Sequence, residues 1–363
     1  MLSLKTGGAS AIKLSAGDGF PIAVVENEDK KIEGIVRLNE DFASEKAGKE
    51  LIELPAGGDL KFQVMPEQRE NMRDVIYVVG PSGSGKSYWC GEYMRVFQAL
   101  FKCPAKNMVL ISADDFSDPA FKMVNYTHIK ADEDMVENPL DLEELTRKDK
   151  SGKALPSLIL FDDFEGIHNK RVKQAVEALQ QRVLEIGRKR AIYVLYVAHV
   201  SASGQASRLI ANELTGFCMF PKYSSGQNLS YFLTNHLNVP EQLRTCFKND
   251  KGWGRSIFIR NSAPQYIIAP YRCCMFDVDE VSSALKKRSL IDRVRARQEA
   301  EKIVGGMRKI SQVRVPAIGR TDTTHAKEVT YLPKKCNNIV KKKNKSKYIE
   351  QFEDSENSET EED

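Results

Sequence analysis

Residues 75–87 read VIYVVGPSGSGKS. The five apolar residues Val75–Val79 run without interruption, the pattern of a strand buried on both faces. They lead into Gly80-Pro81-Ser82-Gly83-Ser84-Gly85-Lys86-Ser87, which matches the spacing G-x-x-x-x-G-K-[ST]. Glycines let the backbone curl so that successive N–H groups face phosphate oxygens. A helix expected over 87–101 adds the positive end of its dipole. In this reading Lys86 reaches the β- and γ-phosphates and the Ser87 hydroxyl coordinates Mg²⁺, so ATP and Mg²⁺ are the expected ligands. The alternative is a chance glycine turn between a strand and a helix.

Around this stretch the chain has 363 residues and a formal net charge of +4, with 41% hydrophobic and 29% charged residues. Such values exclude collagen-like, wholly disordered and disulfide-scaffold classes. No apolar run approaches the ~18–20 residues needed to span a bilayer. The opening MLSLKTGGASAIKLSAGDG has no apolar core of the signal-peptide kind, so an intracellular protein with no membrane partner is expected. The seven cysteines show no metal-type pairing, and reduced thiols are expected.

Working outward, short apolar runs at 11–14, 22–25, 32–38 and 60–64 predict a small β-rich unit over 1–70. From 71 to 281, buried-strand patterns alternate with helical ones. Strands are expected at 108–111, 158–161, 191–200 and 217–220. Val172, Ala175, Val176, Leu179, Val183 and Ile186 fall at helical spacing. That alternation predicts an α/β domain with a mostly parallel sheet wrapped by helices. The polar, acidic stretch 114–156 reads as an insertion or a flexible crossover. Residues 282–315 read as a basic helical extension, rich in Lys and Arg from Lys286 to Arg314 and interrupted by Gly305-Gly306. The tail 316–363 carries a basic run over 341–347 and then only acidic charges from Glu350 to Asp363, the composition of a disordered segment.

LILFDD at 158–163 is an apolar strand ending in two carboxylates. Ligands of open α/β sheets bind at that end of the strands. Asp162 is expected to hold Mg²⁺ through water, and Asp163 or Glu165 to orient an attacking water. In many ring ATPases the second position is Glu; Asp163 is one methylene shorter. The bland alternative is a pair of helix-capping aspartates. His199 closes the next strand, either as a contact to the γ-phosphate or attacking water, or as a core histidine. Arg208 is a candidate arginine finger for a neighbouring subunit's site, or else an ordinary surface arginine. Arg188 and Arg190 are weaker finger candidates. A strand pattern lies between the phosphate-loop unit and the Asp162 strand. That order suits ATPases in which an extra strand separates the two motif strands, and suits small nucleotide kinases less well.

Taken in order, VIYVVGPSGSGKS, LILFDD, IGRKRAIYVLYVAHV and SRLIANELTGFCMFP resemble the FtsK–HerA superfamily, in particular the genome-packaging-type ATPases of large DNA viruses. GWGRSIFIRNSAPQYIIAPY resembles the closing strands of those viral proteins. The resemblance covers about residues 70–275. It implies a RecA-like P-loop NTPase core acting as a homo-oligomeric ring, ATP hydrolysis coupled to moving double-stranded DNA, and a capsid or portal protein as a further partner. It also implies Arg208 as the finger position, and a location in the host cell or the virion. His199 stands where relatives often have Gln or Asn, and the N-terminal β unit is longer than in the smallest viral members.

Competing readings are a nucleotide or small-molecule kinase, and a nucleotide-dependent scaffold with slow or no hydrolysis. The basic stretch over 286–314 suits DNA phosphates as well as it suits a solvated helix face.

Overall fold

A computed structural model describes residues 2–6, 19–38, 51–114, 118–199, 212–224, 226–237, 239 and 241–275. The strand expected at 11–14, the basic extension and the tail lie outside the described residues.

Among the described residues, five strands precede the glycine loop's own: β1 (Leu2–Thr6), β2 (Phe20–Glu26), β3 (Ile32–Leu38), β4 (Leu51–Glu53) and β5 (Lys61–Val64). Four of them form an antiparallel sheet in the order β1-β3-β2-β5. The boundary expected at residue 70 is crossed by β4, which joins the main sheet instead, and by the Phe62 N–H, which donates to the Pro270 carbonyl at 2.9 Å.

Next along the chain come β6 (Val75–Val79), α1 (Lys86–Phe101), β7 (Met108–Ser112), β8 (Thr127–Lys130), α2 (Glu133–Glu137) and α3 (Leu142–Leu145). They are followed by β9 (Arg147–Lys148), β10 (Ala154–Leu155), β11 (Ser157–Asp162), α4 (Lys170–Ile186) and β12 (Ile192–Ala198). The last described elements are β13 (Gly216–Met219), α5 (Gly226–Asn235), α6 (Glu241–Asn249), β14 (Ile257–Arg260), β15 (Tyr266–Ala269) and β16 (Arg272–Met275). The main sheet runs β4-β16-β15-β14-β13-β6-β12-β11-β7-β8. Every pairing from β13 to β8 is parallel, and every pairing from β13 to β4 is antiparallel. The strand that separates β6 from β11 is β12, which leads into His199, while β7 lies on the far side of β11.

The two faces of the sheet bury different partners, because successive strand residues point in opposite directions. Val75, Tyr77 and Val79 share a core with Val176 of α4, Phe232 of α5 and Phe247 of α6. Ile76 and Val78 face Trp89, Tyr93 and Phe97 of α1. Trp89 stacks on Tyr93 and Phe258, with ring centroids 5.8 and 6.0 Å apart. Cys273 and Cys274 likewise fall on opposite faces. Six cysteines are free among the described residues, and burial pushes the thiols of Cys90, Cys218 and Cys273 well up.

The acidic stretch 114–156 is built, not loose, where it is described. Its aspartates cap short elements. Asp132 accepts from the Asp134 N–H at 3.1 Å, and Asp141 from the Glu143 N–H at 3.0 Å. Asp149 closes the β9–β10 turn by accepting from the N–H groups of Ser151 and Lys153. Side chains that read as loop-forming therefore satisfy orphan donors.

Two adjacent charged residues anchor the start of β6. Arg73 turns to α4, donating to the carbonyls of Val183 (2.9 Å), Leu184 (2.8 Å) and, in β12, Ile192 (2.8 Å). Burial lowers its pKa to about 10, which leaves it cationic. Asp74 turns the other way. Its carboxylate accepts from Arg260 Nη1 and from the Tyr93 hydroxyl, each at 2.5 Å, and from the Glu67 N–H at 2.9 Å. Both Asp74 and Arg260 are fully buried, so deleting one strands the charge of the other. Asp74→Ala is expected to cost about 3–5 kcal/mol in urea unfolding. Adding Arg260→Met should recover part of that loss; a single Asp74→Ala within about 1 kcal/mol of wild type would count against the hub.

Candidate nucleotide site

Strand β6 leads into Gly80, whose N–H donates to the Ala198 carbonyl at 3.2 Å. A Cβ on Gly80 would lie 2.6 Å from Ser84 Oγ and 2.9 Å from Phe220 Cδ2, so only glycine lets the loop fold back over the strand end. Gly83 and Gly85 have φ of +72° and +106°, which L side chains rarely adopt. Gly85 is also the N-cap of α1. It offers no side chain to the helix, and the first turn of α1 holds no acidic residue. The helix start is thus left open to an anion. Ser84 Oγ is buried without a hydrogen-bond partner.

Parallel pairing brings the strand ends into register at one edge of the sheet. Ala198, the residue before His199, pairs with Val79, the residue before Gly80. Asp162 pairs with Ser112 at the end of β7. Asp162 stands at the end of β11, and burial, with the neighbouring Asp163 carboxylate next in weight, pushes it up to about 6 against the pull of Lys86. Asp163 adopts φ 54°, ψ 39°, a left-handed conformation that a short polar side chain tolerates better than most residues. This conformation turns the chain sharply out of the strand into a short turn at Phe164–Gly166.

Lys86, His199 and Asp163 form a chain of contacts. Lys86 Nζ lies 3.4 Å from His199 Nδ1 and donates to the Pro81 carbonyl at 3.3 Å. His199 Nε2 lies 2.8 Å from Asp163 Oδ1. An ammonium can only donate, which makes Nδ1 the acceptor and places the ring proton on Nε2, facing the carboxylate. A neutral imidazole with that tautomer satisfies both neighbours. His199 is therefore not the core histidine of the bland alternative: its side chain retains 36% exposure.

These residues suit a nucleotide with a hard divalent cation. Ser87 and Asp162 would offer the cation a hydroxyl and a carboxylate oxygen, the donor types Mg²⁺ prefers. Among the described residues no group of three or more His, Cys, Asp or Glu could hold a metal, so its other ligands would come from phosphates and water.

The other sequence candidates fare differently. Glu165 lies in the short turn after Asp163. Arg208 lies outside the described residues. Arg188 and Arg190 precede β12, at the opposite edge of the sheet from the loop, and Arg190 is paired with Glu143 at 2.5 Å. Neither therefore reaches this chain's own loop, and their reading as fingers for a neighbouring subunit is not addressed by a single chain. One residue escaped the motif reading: Arg255, whose Nε and Nη2 donate to the carbonyls of Ser84 and Gly83, both at 2.6 Å. The resembling segment GWGR contains it, but nothing in a local pattern says that a residue so far along the chain touches the loop.

No family model matches the chain. The chain is 31% identical over 207 residues to the uncharacterized protein V3 of Sputnik virophage, spanning 56% of this chain and 76% of that protein. Similar solved structures include the genome packaging NTPase B204 from Sulfolobus turreted icosahedral virus 2 in complex with AMPPCP. It shows 13% identity over 54% of this chain and 97% of that one, with a TM-score of 0.37. Another is the monomer form of the pCW3 conjugation coupling protein TcpA with ATPγS, at 14% identity over 74% of this chain and 81% of that one, TM-score 0.37. Among the described residues no helix is long and apolar enough to cross a membrane.

Gly80→Ala should weaken ATP binding by about tenfold or more, read by filter binding, while the far-ultraviolet spectrum stays unchanged. Asp162→Asn provides a pH test in metal-free, nucleotide-free protein. The raised carboxyl binds its proton more tightly folded than unfolded, so its stabilising effect is complete below about pH 4 and is lost as pH rises through about 6. From pH 6 upward Asp162→Asn should melt about 2–6 °C above wild type, the gap closing by pH 4. Equal melting temperatures at pH 8 would refute the buried charge.

Proposed function

The chain belongs to the family of the uncharacterized protein V3 of Sputnik virophage, and we propose that it is a Mg²⁺-dependent ATPase whose turnover moves double-stranded DNA. The observation that carries the ATPase reading is the glycine loop at the end of a parallel strand, with Lys86, Asp162, Asp163 and His199 gathered around it. Placement of β12 between β6 and β11 favours this reading over a small nucleotide kinase.

Each residue has a part. Loop N–H groups and the start of α1 bind the phosphates, and the Lys86 ammonium moves from His199 onto the β- and γ-oxygens. Ser87 and Asp162 would hold Mg²⁺, which would supply charge neutralisation to the phosphates. Asp163 orients the attacking water, and its bond to His199 fixes the carboxylate and keeps the imidazole in the Nε2–H tautomer. Glu165 is the alternative partner for that water.

The DNA part of the reading draws on the sequence resemblance to viral packaging-type ATPases and on the basic stretch over 286–314. Lys and Arg there would neutralise backbone phosphates without reading sequence. Arg208 is assigned as the finger supplied to a neighbouring subunit of a ring, a capsid or portal protein as a further partner, and the infected cell or the virion as the place of action.

Lys86→Ala should lower ATP turnover by about a hundredfold or more while leaving the melting temperature within a few degrees. Wild-type turnover should rise several-fold with duplex DNA and fall back as salt increases. Sizing with a non-hydrolysable ATP analogue should give an oligomer. A monomer whose turnover ignores DNA would refute the motor.

A further inference from the structure

We propose that Arg255 is a positioning residue that braces the phosphate loop from within the same chain. Its guanidinium spans two successive loop carbonyls, Ser84 by Nε and Gly83 by Nη2, both at 2.6 Å. A peptide group is planar and trans, so its C=O and N–H point to opposite sides. Holding the Ser84 carbonyl toward Arg255 turns the Gly85 N–H away from it, onto the concave side of the loop where phosphate oxygens are expected. Arg255 thereby fixes the orientation of a loop donor without touching the nucleotide.

The side chain itself is exposed, but its root is rigid. Gly254, at φ +69°, runs so close to Pro270 that a Cβ would sit 2.9 Å from its Cγ, and the turn delivers Arg255 to the loop. Trp253, one residue earlier, is 1% exposed, packs edge-on against Phe247 at 5.0 Å and lies under the Arg272 guanidinium at 5.2 Å. From the other side the Tyr223 ring supports the guanidinium, 5.0 Å from ring centroid to Cζ. Gly85 belongs to the same fit, since a Cβ there would lie 3.1 Å from Arg255 Nε. The planar fork matters: a lysine ammonium is a point charge and cannot reproduce two divergent bonds of fixed geometry.

The first readout is independent of the nucleotide reading, and only the second rests on it. In nucleotide-free protein, hydrogen exchange of the loop amides over 82–87 should speed up about three- to tenfold in Arg255→Ala. Arg255→Lys should fall in between, and Tyr223→Phe should match wild type. All three should melt within about 2 °C of wild type, because the side chain is exposed. In Mg²⁺ buffer, Arg255→Ala should raise the Kd for fluorescently labelled ATP about three- to tenfold, with Arg255→Lys partly restoring it. Unchanged loop exchange in Arg255→Ala overturns the brace. So does faster exchange throughout the domain together with a large fall in melting temperature, in Arg255→Lys as well as in Arg255→Ala, since that is a merely structural role. Faster loop exchange with no ATP binding by wild type keeps the brace and overturns the nucleotide reading instead.

Discussion

The architecture depends on two charged residues buried side by side where the chain enters β6. Extended backbone sends Arg73 to one face of the sheet and Asp74 to the other. Arg73 satisfies the last carbonyls of α4 and the β12 carbonyl at Ile192, while Asp74 collects Arg260, Tyr93 and the Glu67 N–H. One dipeptide thus positions a helix on each side of the strand that ends in the phosphate loop, and ties in the antiparallel extension through β14. Buried charges of this kind add little net stability over apolar packing, yet they punish any other arrangement, because each needs its particular partner.

The same logic explains why Gly187 follows α4. A Cβ at that position would lie 2.0 Å from Arg73 Nη1, so the residue after the helix must leave room for the guanidinium that caps it. On the opposite face, the Tyr193 hydroxyl donates to the Glu67 carbonyl at 2.6 Å, and Arg260 Nε donates to the Tyr266 hydroxyl at 3.1 Å. The polar hub is therefore continuous with the aromatic core around α1, rather than an isolated pair. A loop held by such a strand can be rigid where it must aim donors at a ligand, and needs few residues of its own for support.

At the other end of β6, chemistry and backbone geometry are linked through Asp163. A left-handed residue at the end of β11 sends the chain away at once and leaves two successive carboxylates at the sheet edge. Aspartate is compatible with that conformation, because a short polar side chain tolerates the left-handed region better than a longer one. His199 then links Asp163 to Lys86, so an acid from the end of β11 and the lysine at the start of α1 share one imidazole. Asp162, next to this pair, carries its charge at a cost that a divalent cation would relieve.

Local elements of the core were legible in the sequence because they rest on neighbours in the chain. The continuous apolar runs of β6, β11 and β12, the helical spacing in α4 and the glycine loop each signal themselves within a few residues. So do the carboxylates at the end of a strand. Of the two readings of the stretch 114–156, an insertion or a flexible crossover, the structure removes the flexible one where it is described: its aspartates look like loop formers until the N–H groups they cap are known. Tertiary structure alone decided the strand order, the departure of β4 to the far edge of the main sheet, and the partners of Asp74 and Arg255. Those contacts join residues 186 and 171 positions apart. A sequence records which side chains can be buried and which backbone turns are permitted. Which distant residue closes a buried charge or braces a loop is settled only when the sheet assembles and low dielectric makes an unpaired group costly.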